Sequence, residues 1–171
     1  DGRRGWLQRL GVSADAAVVS MILREADRLR AALRALQEAR ATDDGLNAQA
    51  KRVEQMGFDS FGMASRFGLD AIMSLALIGR ETKRIKLGTA VVPTYPRHPL
   101  TMAQEAATAQ AASGGRFVLG IGLSHKPIIE GMLGLSFDKP ARHMREYLKV
   151  LMPLLANEKV QSSGELFRVN A

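Results

Sequence analysis

The sequence predicts an α/β fold with a parallel sheet, and three observations predict it. From residue 46 onward, segments with helical periodicity alternate with short β-branched runs, the pattern of a parallel sheet with crossover helices. Ile85 to Val92 is rich in β-branched and apolar residues, and Phe117 to Gly122 is a second short apolar run; both read as apolar on both faces, as buried parallel strands are. Between them, Pro99 stands where a helix can begin without losing a hydrogen bond. Leu100, Ala103, Ala106, Ala107 and Ala111 then recur at helical spacing up to Ser113-Gly114. The stretch from Lys86 to His125 is therefore strand, loop, helix, strand. In such units ligands bind just past the carboxyl ends of the strands, here Val92 to His98 and Gly120 to His125.

The remaining elements follow in order. Asp1 to Leu10 is basic, with Trp6 as its large anchor, and reads as a tail or a short turn. Ser13 is a helix N-cap for Ala14 to about Arg40, with one apolar stripe from Val18 to Leu36. The repeat is short and rich in alanine, which leaves coiled-coil pairing open. Thr42-Asp43-Asp44-Gly45 breaks that pattern, and Leu46 to Met56 is a short amphipathic helix closed by Gly57. Phe58 to Ala64 reads as a strand, and Ser65-Arg66-Phe67-Gly68 as the loop at its end. Leu69 to Thr82 is a helix with a broad apolar face, ended by Lys83 and Arg84. Lys126 to Lys139 is irregular. Pro140 to Asn157 is a helix in which Pro153 introduces a kink, with Met144, Tyr147, Leu148, Leu151, Leu154 and Leu155 on its apolar face. His143 and Arg145 read as structural residues of that helix, away from the strand ends. Gln161 to Val169 reads as a small hairpin.

Composition narrows the classes. The chain of 171 residues is long enough for one domain with a sizeable core. It has no cysteine, which excludes disulfides, thiolate metal sites and cysteine nucleophiles. That suits a reducing, cytoplasmic setting. His98, His125 and His143 lack metal-ligand spacing, so no metal is expected. No apolar run reaches membrane-spanning length, and no secretory signal is visible. The first residue is Asp1 rather than Met, which fits a fragment or a processed product. The net charge of +7 favours contact with polyanions or an anionic cofactor. The arginines are scattered through helices as a solvated face is, and no nucleic-acid reader motif or aromatic platform is present. Specific nucleic-acid binding is therefore not expected.

Five pieces, in order, resemble one family: Met56-Gly-Phe-Asp-Ser60, Ile78-Gly-Arg-Glu-Thr-Lys-Arg-Ile-Lys-Leu-Gly-Thr89, Pro96-Arg-His-Pro99, Ser113-Gly-Gly-Arg-Phe-Val-Leu-Gly-Ile-Gly122 and Arg142-His-Met-Arg-Glu-Tyr147. Together they resemble the luciferase-like monooxygenase family, most closely its branch that uses the deazaflavin coenzyme F420 rather than FMN. The resemblance covers residues 42–170. It implies a TIM (β/α)8-type barrel, a fold that needs about 250 residues. Three βα units are recognisable here, resembling the second, third and fourth of the family. The expectation is an incomplete barrel over 42–171 with a helical N-terminal extension over 1–41. In the family, late barrel units hold the cofactor phosphate, and the fifth to eighth strands have no counterpart in this sequence.

The resemblance also implies site residues. It places a bulge with a non-prolyl cis peptide at Ala90–Val91, supporting the cofactor ring. Gly120 and Gly122 lack a Cβ, which would let a flat ring approach the backbone. Ser124 follows, and His125 is the candidate acid/base, since histidine titrates near neutrality. Ser65 and Arg66 end the second family strand, where the ring or substrate is contacted. Thr94 lies in the loop after the next strand, in which Arg97 and His98 are also candidates for anchoring the following helix.

These points combine into an oxidoreductase that moves a hydride between F420 and a small organic substrate. FMN-dependent monooxygenation is the close alternative. A non-catalytic barrel fragment acting through oligomerisation is the other. The expected binding of F420 by this chain is weak or absent, with negligible turnover.

Overall fold

The computed structural model describes residues 43–65 and 68–171. The expectations for residues 1–41, the long helix and its coiled-coil option, lie outside the described residues, as does Arg66.

Helix α1 (Asp43–Gln55) leads into strand β1 (Ser60–Met63). The chain reverses at Gly57, whose φ of 84° is open to glycine at little cost. Helix α2 (Ala71–Glu81) starts at Asp70, whose carboxylate accepts the Met73 N–H at 2.9 Å. Strand β2 (Lys86–Thr89) follows, and after a two-residue break the chain resumes as β3 (Val92–Pro93). Helix α3 (Pro99–Ala112) has Pro99 in its first turn, as expected, and His98 as its N-cap. The next strand is also divided, into β4 (Phe117–Val118) and β5 (Ile121–Gly122). Helix α4 (Pro140–Leu155) precedes the antiparallel pair β6 (Gln161–Ser163) and β7 (Arg168–Asn170).

All pairing in the central sheets is parallel. The main sheet has the order β1-β2-β4, and β3 pairs with β5 beyond it. The three strands expected from sequence are neighbours in chain order, but the second and third are each interrupted. Apolar residues at Ala90–Val91 and Leu119 concealed the breaks, because a bulge changes the pairing and not the hydropathy.

Helices α2 and α3 cover one face of the sheet. Ile72, Leu75 and Ile78 meet Leu87, Phe117, Met102 and Ala106 in a core from which water is excluded. Each such side chain contributes about 1.5–3 kcal/mol by burial. The two helices approach closely at Gly79, where an added Cβ would lie 2.8 Å from the Cβ of Ser113. The expectation of burial on both faces is corrected. Ser60, Gly62, Lys86 and Val118 occupy the other face and are exposed. The apolar face of α4 also differs from expectation: His143, Tyr147, Val150 and Leu151 are buried, whereas Leu148 and Leu155 are exposed.

Two side chains fasten the amino-end loops. The Arg116 guanidinium donates to the carbonyls of Gly79 (2.7 Å), Thr82 (3.0 Å) and Ile85 (2.8 Å), and to Thr82 Oγ1 (3.1 Å). It thus satisfies the carbonyls left open where α2 ends. The Glu54 carboxylate accepts the N–H groups of Ile85 (2.9 Å), Arg84 (2.6 Å) and Lys83 (3.0 Å). The Ile85 and Arg84 bonds, foremost, hold its carboxyl at about 2 against an ordinary 4.5.

A folded-state pKa below the unfolded value means that Glu54 stabilises the fold in full above about pH 4.5. That contribution is lost as pH falls through 4.5 toward 2. Glu54→Gln is expected to cost about 1–2 kcal/mol at pH 7, after solvent screening of a part-exposed group. It should also flatten the acid limb of stability, as read from urea midpoints between pH 7 and pH 2. An unchanged acid limb would contradict the assignment.

Candidate active site

The parallel strands bring the ends of β1, β3 and β5 to one edge. There a cleft of about 500 Å³ opens, lined by Ser65, Gly68, Asp70, Pro93, Arg97, Ser124, Ile128 and Leu133 among others. Its size and its mix of apolar walls with a few polar groups suit a small ligand or part of a larger one. A larger groove of about 670 Å³ lies between α3 and α4. It is walled by alanines, glycines and leucines, and its Gln110 side chain is already taken by the Phe117 N–H at 2.9 Å. Its polar side chains are limited to Gln110 and Asn157, and it does not lie at the strand ends, so it is the poorer candidate.

Beside the cleft lies the break between β2 and β3. The Ala90–Val91 peptide is cis, at the position the family resemblance implies. Backbone bonds hold it on both sides: Ala90 N–H to Met63 O (2.8 Å), Ser65 N–H to Val91 O (3.4 Å) and Val92 N–H to Gly120 O (2.9 Å). Ala90 is exposed and Val91 remains 47% exposed, unusual for a valine between strands.

Gly120 and Gly122 are packed closely on the side where a Cβ would project. A Cβ on Gly120 would stand 2.0 Å from Thr89 O, and one on Gly122 would stand 2.7 Å from Val91 Cγ2. The missing Cβ atoms make room for the protein's own bulge. The signal was in the sequence: two glycines spaced by two clear the same side of a strand.

Other expected site residues divide. Ser65 and Ser124 both line the cleft. Ser124 takes φ 63°, turning the chain away from β5. His125 is exposed, and its carbonyl accepts the Ile128 (2.9 Å) and Ile129 (3.0 Å) N–H groups at the start of a six-residue π-helix, Pro127–Met132. That π-helix, in a stretch expected to be irregular, supplies Ile128 to the cleft wall. Thr94 is fully buried and does not line the cleft.

Thr94 instead meets His143, with Oγ1 and Nε2 3.1 Å apart in a hydrogen bond. His143 therefore packs against the loop after β3, contrary to its expected place away from the strand ends. Tyr95 stacks on the imidazole at 3.9 Å, and Phe167 meets it edge-on at 5.2 Å. Burial lowers the His143 pKa from its ordinary value, which Glu146 opposes. Burial raises the phenol of Tyr95, with Asp138 adding to the effect. The signal for this cluster was the spacing of His143 and Tyr147, which places both on one face of α4.

Arg97 forms ion pairs with Asp70 and, at 3.1 Å, with Glu105. It ties the loop after β3 to the N-cap of α2 and to α3. His98 Nδ1 accepts the Leu100 N–H at 3.3 Å. Both residues thus anchor helices. Among the described residues no group of His, Asp and Glu could hold a metal ion, and no helix is long and apolar enough to cross a membrane.

A comparison with known families decides the kinship: the family described as luciferase-like monooxygenase matches residues 27–171. The chain belongs to the luciferase-like monooxygenase family. A putative coenzyme F420-dependent oxidoreductase of Mycobacterium tuberculosis is 38% identical over 117 residues, covering 68% of this chain and 34% of that protein. The 5,10-methylenetetrahydromethanopterin reductase of Archaeoglobus fulgidus is 32% identical over 126 residues, 73% of this chain and 38% of the relative. Among solved structures, the F420-dependent tetrahydromethanopterin reductase of Methanopyrus kandleri superposes with a TM-score of 0.68 at 25% identity, over 77% of this chain and 42% of that one. An FMN-bound Baeyer–Villiger monooxygenase of Pseudomonas putida gives 0.69 at 21% identity, over 78% and 39%, and supports the fold alone. The fold is thus that of the family's TIM-type barrel, present in part. This luciferase-like chain spans about one third of the length of the curated relatives it matches.

Proposed function

We propose that this chain carries the ring-supporting part of an F420-dependent oxidoreductase site acting on a small organic substrate. The observation that carries the proposal is the exposed Ala90–Val91 bulge beside the cleft at the strand ends. The names of the relatives support F420 as the cofactor.

The residues present fit the ring end of such a cofactor. Pro93, Ile128 and Leu133 give apolar walls, and the Ser65 and Ser124 hydroxyls offer hydrogen bonds at one rim. When bound, a deazaflavin supplies a ring carbon that accepts or gives a hydride. The protein's part is to orient that ring and to keep water from its reacting face. His125, exposed and next in sequence to the cleft-lining Ser124, is the residue we assign to proton exchange with a substrate oxygen. Phosphate-holding loops of the kind the family resemblance implies have no counterpart among the described residues, so the ring contacts carry the affinity.

FMN is the alternative cofactor, since the family to which the chain belongs is described as one of monooxygenases. Fluorescence titration of the purified chain with F420 and with FMN separates the two. The expected result is weak saturable binding of F420, with a Kd on the order of 0.1–1 mM given the few contacts available, and weaker binding of FMN. Tighter FMN binding would reverse the cofactor assignment. Absence of saturation with either would favour a non-catalytic role.

A further inference from the structure

Thr89 closes β2 and is only 5% exposed. Its hydroxyl does two things at once. Oγ1 donates to Gly120 O at 2.8 Å and accepts the Gly120 N–H at 2.8 Å. Both polar groups of one residue on the neighbouring strand are thus satisfied by one side chain. The location matters. On the amino side, β2 and β4 are in register through Leu87↔Phe117 and Gly88↔Val118; on the carboxyl side, β3 and β5 resume at Val92↔Ile121. Between these pairs the ladder is interrupted on both strands, and Gly120 lies in the gap. A strand residue whose backbone neighbour turns away loses the ladder partner of its N–H. The Thr89 hydroxyl takes the place of that missing bond and gives the Gly120 carbonyl a second donor.

The same gap is where Ala90 and Val91 face outward. Gly120 O also accepts the Val92 N–H at 2.9 Å, so the residue gripped by Thr89 is itself the anchor for the chain leaving the bulge. Val91 Cγ1 lies 3.5 Å from the point where a Gly120 Cβ would sit. A shift of Gly120 would therefore move both the support and the exit of the bulge.

We propose that Thr89 is a positioning residue for the cofactor ring, acting through Gly120 to hold the Ala90–Val91 surface in place. The proposal rests on the ring-site reading above and adds to it a specific residue that never touches the ligand. Valine has nearly the same shape without the hydroxyl, and serine keeps the hydroxyl without the methyl. Thr89→Val and Thr89→Ser are therefore compared with the wild type in the full chain. Two readouts are taken: amide exchange at Gly120 and Val92, with Leu75 in the core as reference, and the Kd for F420.

Thr89→Val removes both hydroxyl bonds and is expected to speed exchange at Gly120 and Val92 about 10-fold or more, leave Leu75 unchanged and weaken F420 about 10-fold. Thr89→Ser is expected to restore both. Wild-type binding that Thr89→Val leaves intact would overturn the positioning role alone. Equal loss of protection at Gly120, Val92 and Leu75 would reduce Thr89 to general stability and overturn it too. Absence of F420 binding by the wild type would overturn the ring-site reading, and the positioning role with it.

Discussion

Gly120→Ala is expected to cost at least about 3–5 kcal/mol of stability, the scale of severe overpacking against backbone. The added Cβ would stand 2.0 Å from the Thr89 carbonyl oxygen. Both partners are main chain, so no side-chain rotation relieves the overlap. The Thr89 hydroxyl bonds to Gly120 would be broken as the strands separate. Gly62→Ala is the control, because its Cβ would meet the nearest atom, Gly88 O, at an ordinary 3.9 Å. Urea denaturation of both variants checks this. A Gly120→Ala loss below about 1 kcal/mol, or a loss equal to that of Gly62→Ala, would show that the strands can slide apart at little cost.

Arg116→Met is expected to lose about 2–4 kcal/mol, from carbonyls left without partners at the end of α2. The methionine keeps an apolar stem but removes every donor to Gly79, Thr82 and Ile85. Lysine keeps the charge but cannot reach several acceptors with a planar fork, so Arg116→Lys should recover a minor part. Denaturation midpoints decide this as well. Full recovery by lysine would assign the effect to charge rather than to the fork.

Much of the fold was legible because local chemistry and tertiary packing agree. Pro99 begins a helix and Gly57 ends one, each for a backbone reason that neighbours do not alter. The order of the parallel strands followed from their alternation with helices. The breaks at Ala90–Val91 and at Leu119–Gly120 were not legible as breaks in hydropathy, since apolar residues continue through them. The bulge was expected from family resemblance alone. The site was half legible. Ser65 and Ser124 reach the cleft because they follow strand ends. Thr94 follows a strand end too, yet turns inward to His143, since periodicity does not say which helix face meets which loop. Thr89 and Arg116 act through backbone groups distant in sequence, and no local pattern marks such pairings.

The position of the ring is the central claim, and amide shift mapping tests it most directly. The isotope-labelled chain is titrated with a deazaflavin ring compound that lacks the phosphate-bearing tail. The expected result is saturable movement of the Ser65, Val91, Val92 and Ser124 amides, with an affinity close to that for whole F420. Movement confined to the α3–α4 groove around Ala107 and Leu155, or no saturable movement at all, would contradict the assignment of the Ala90–Val91 surface as the ring site.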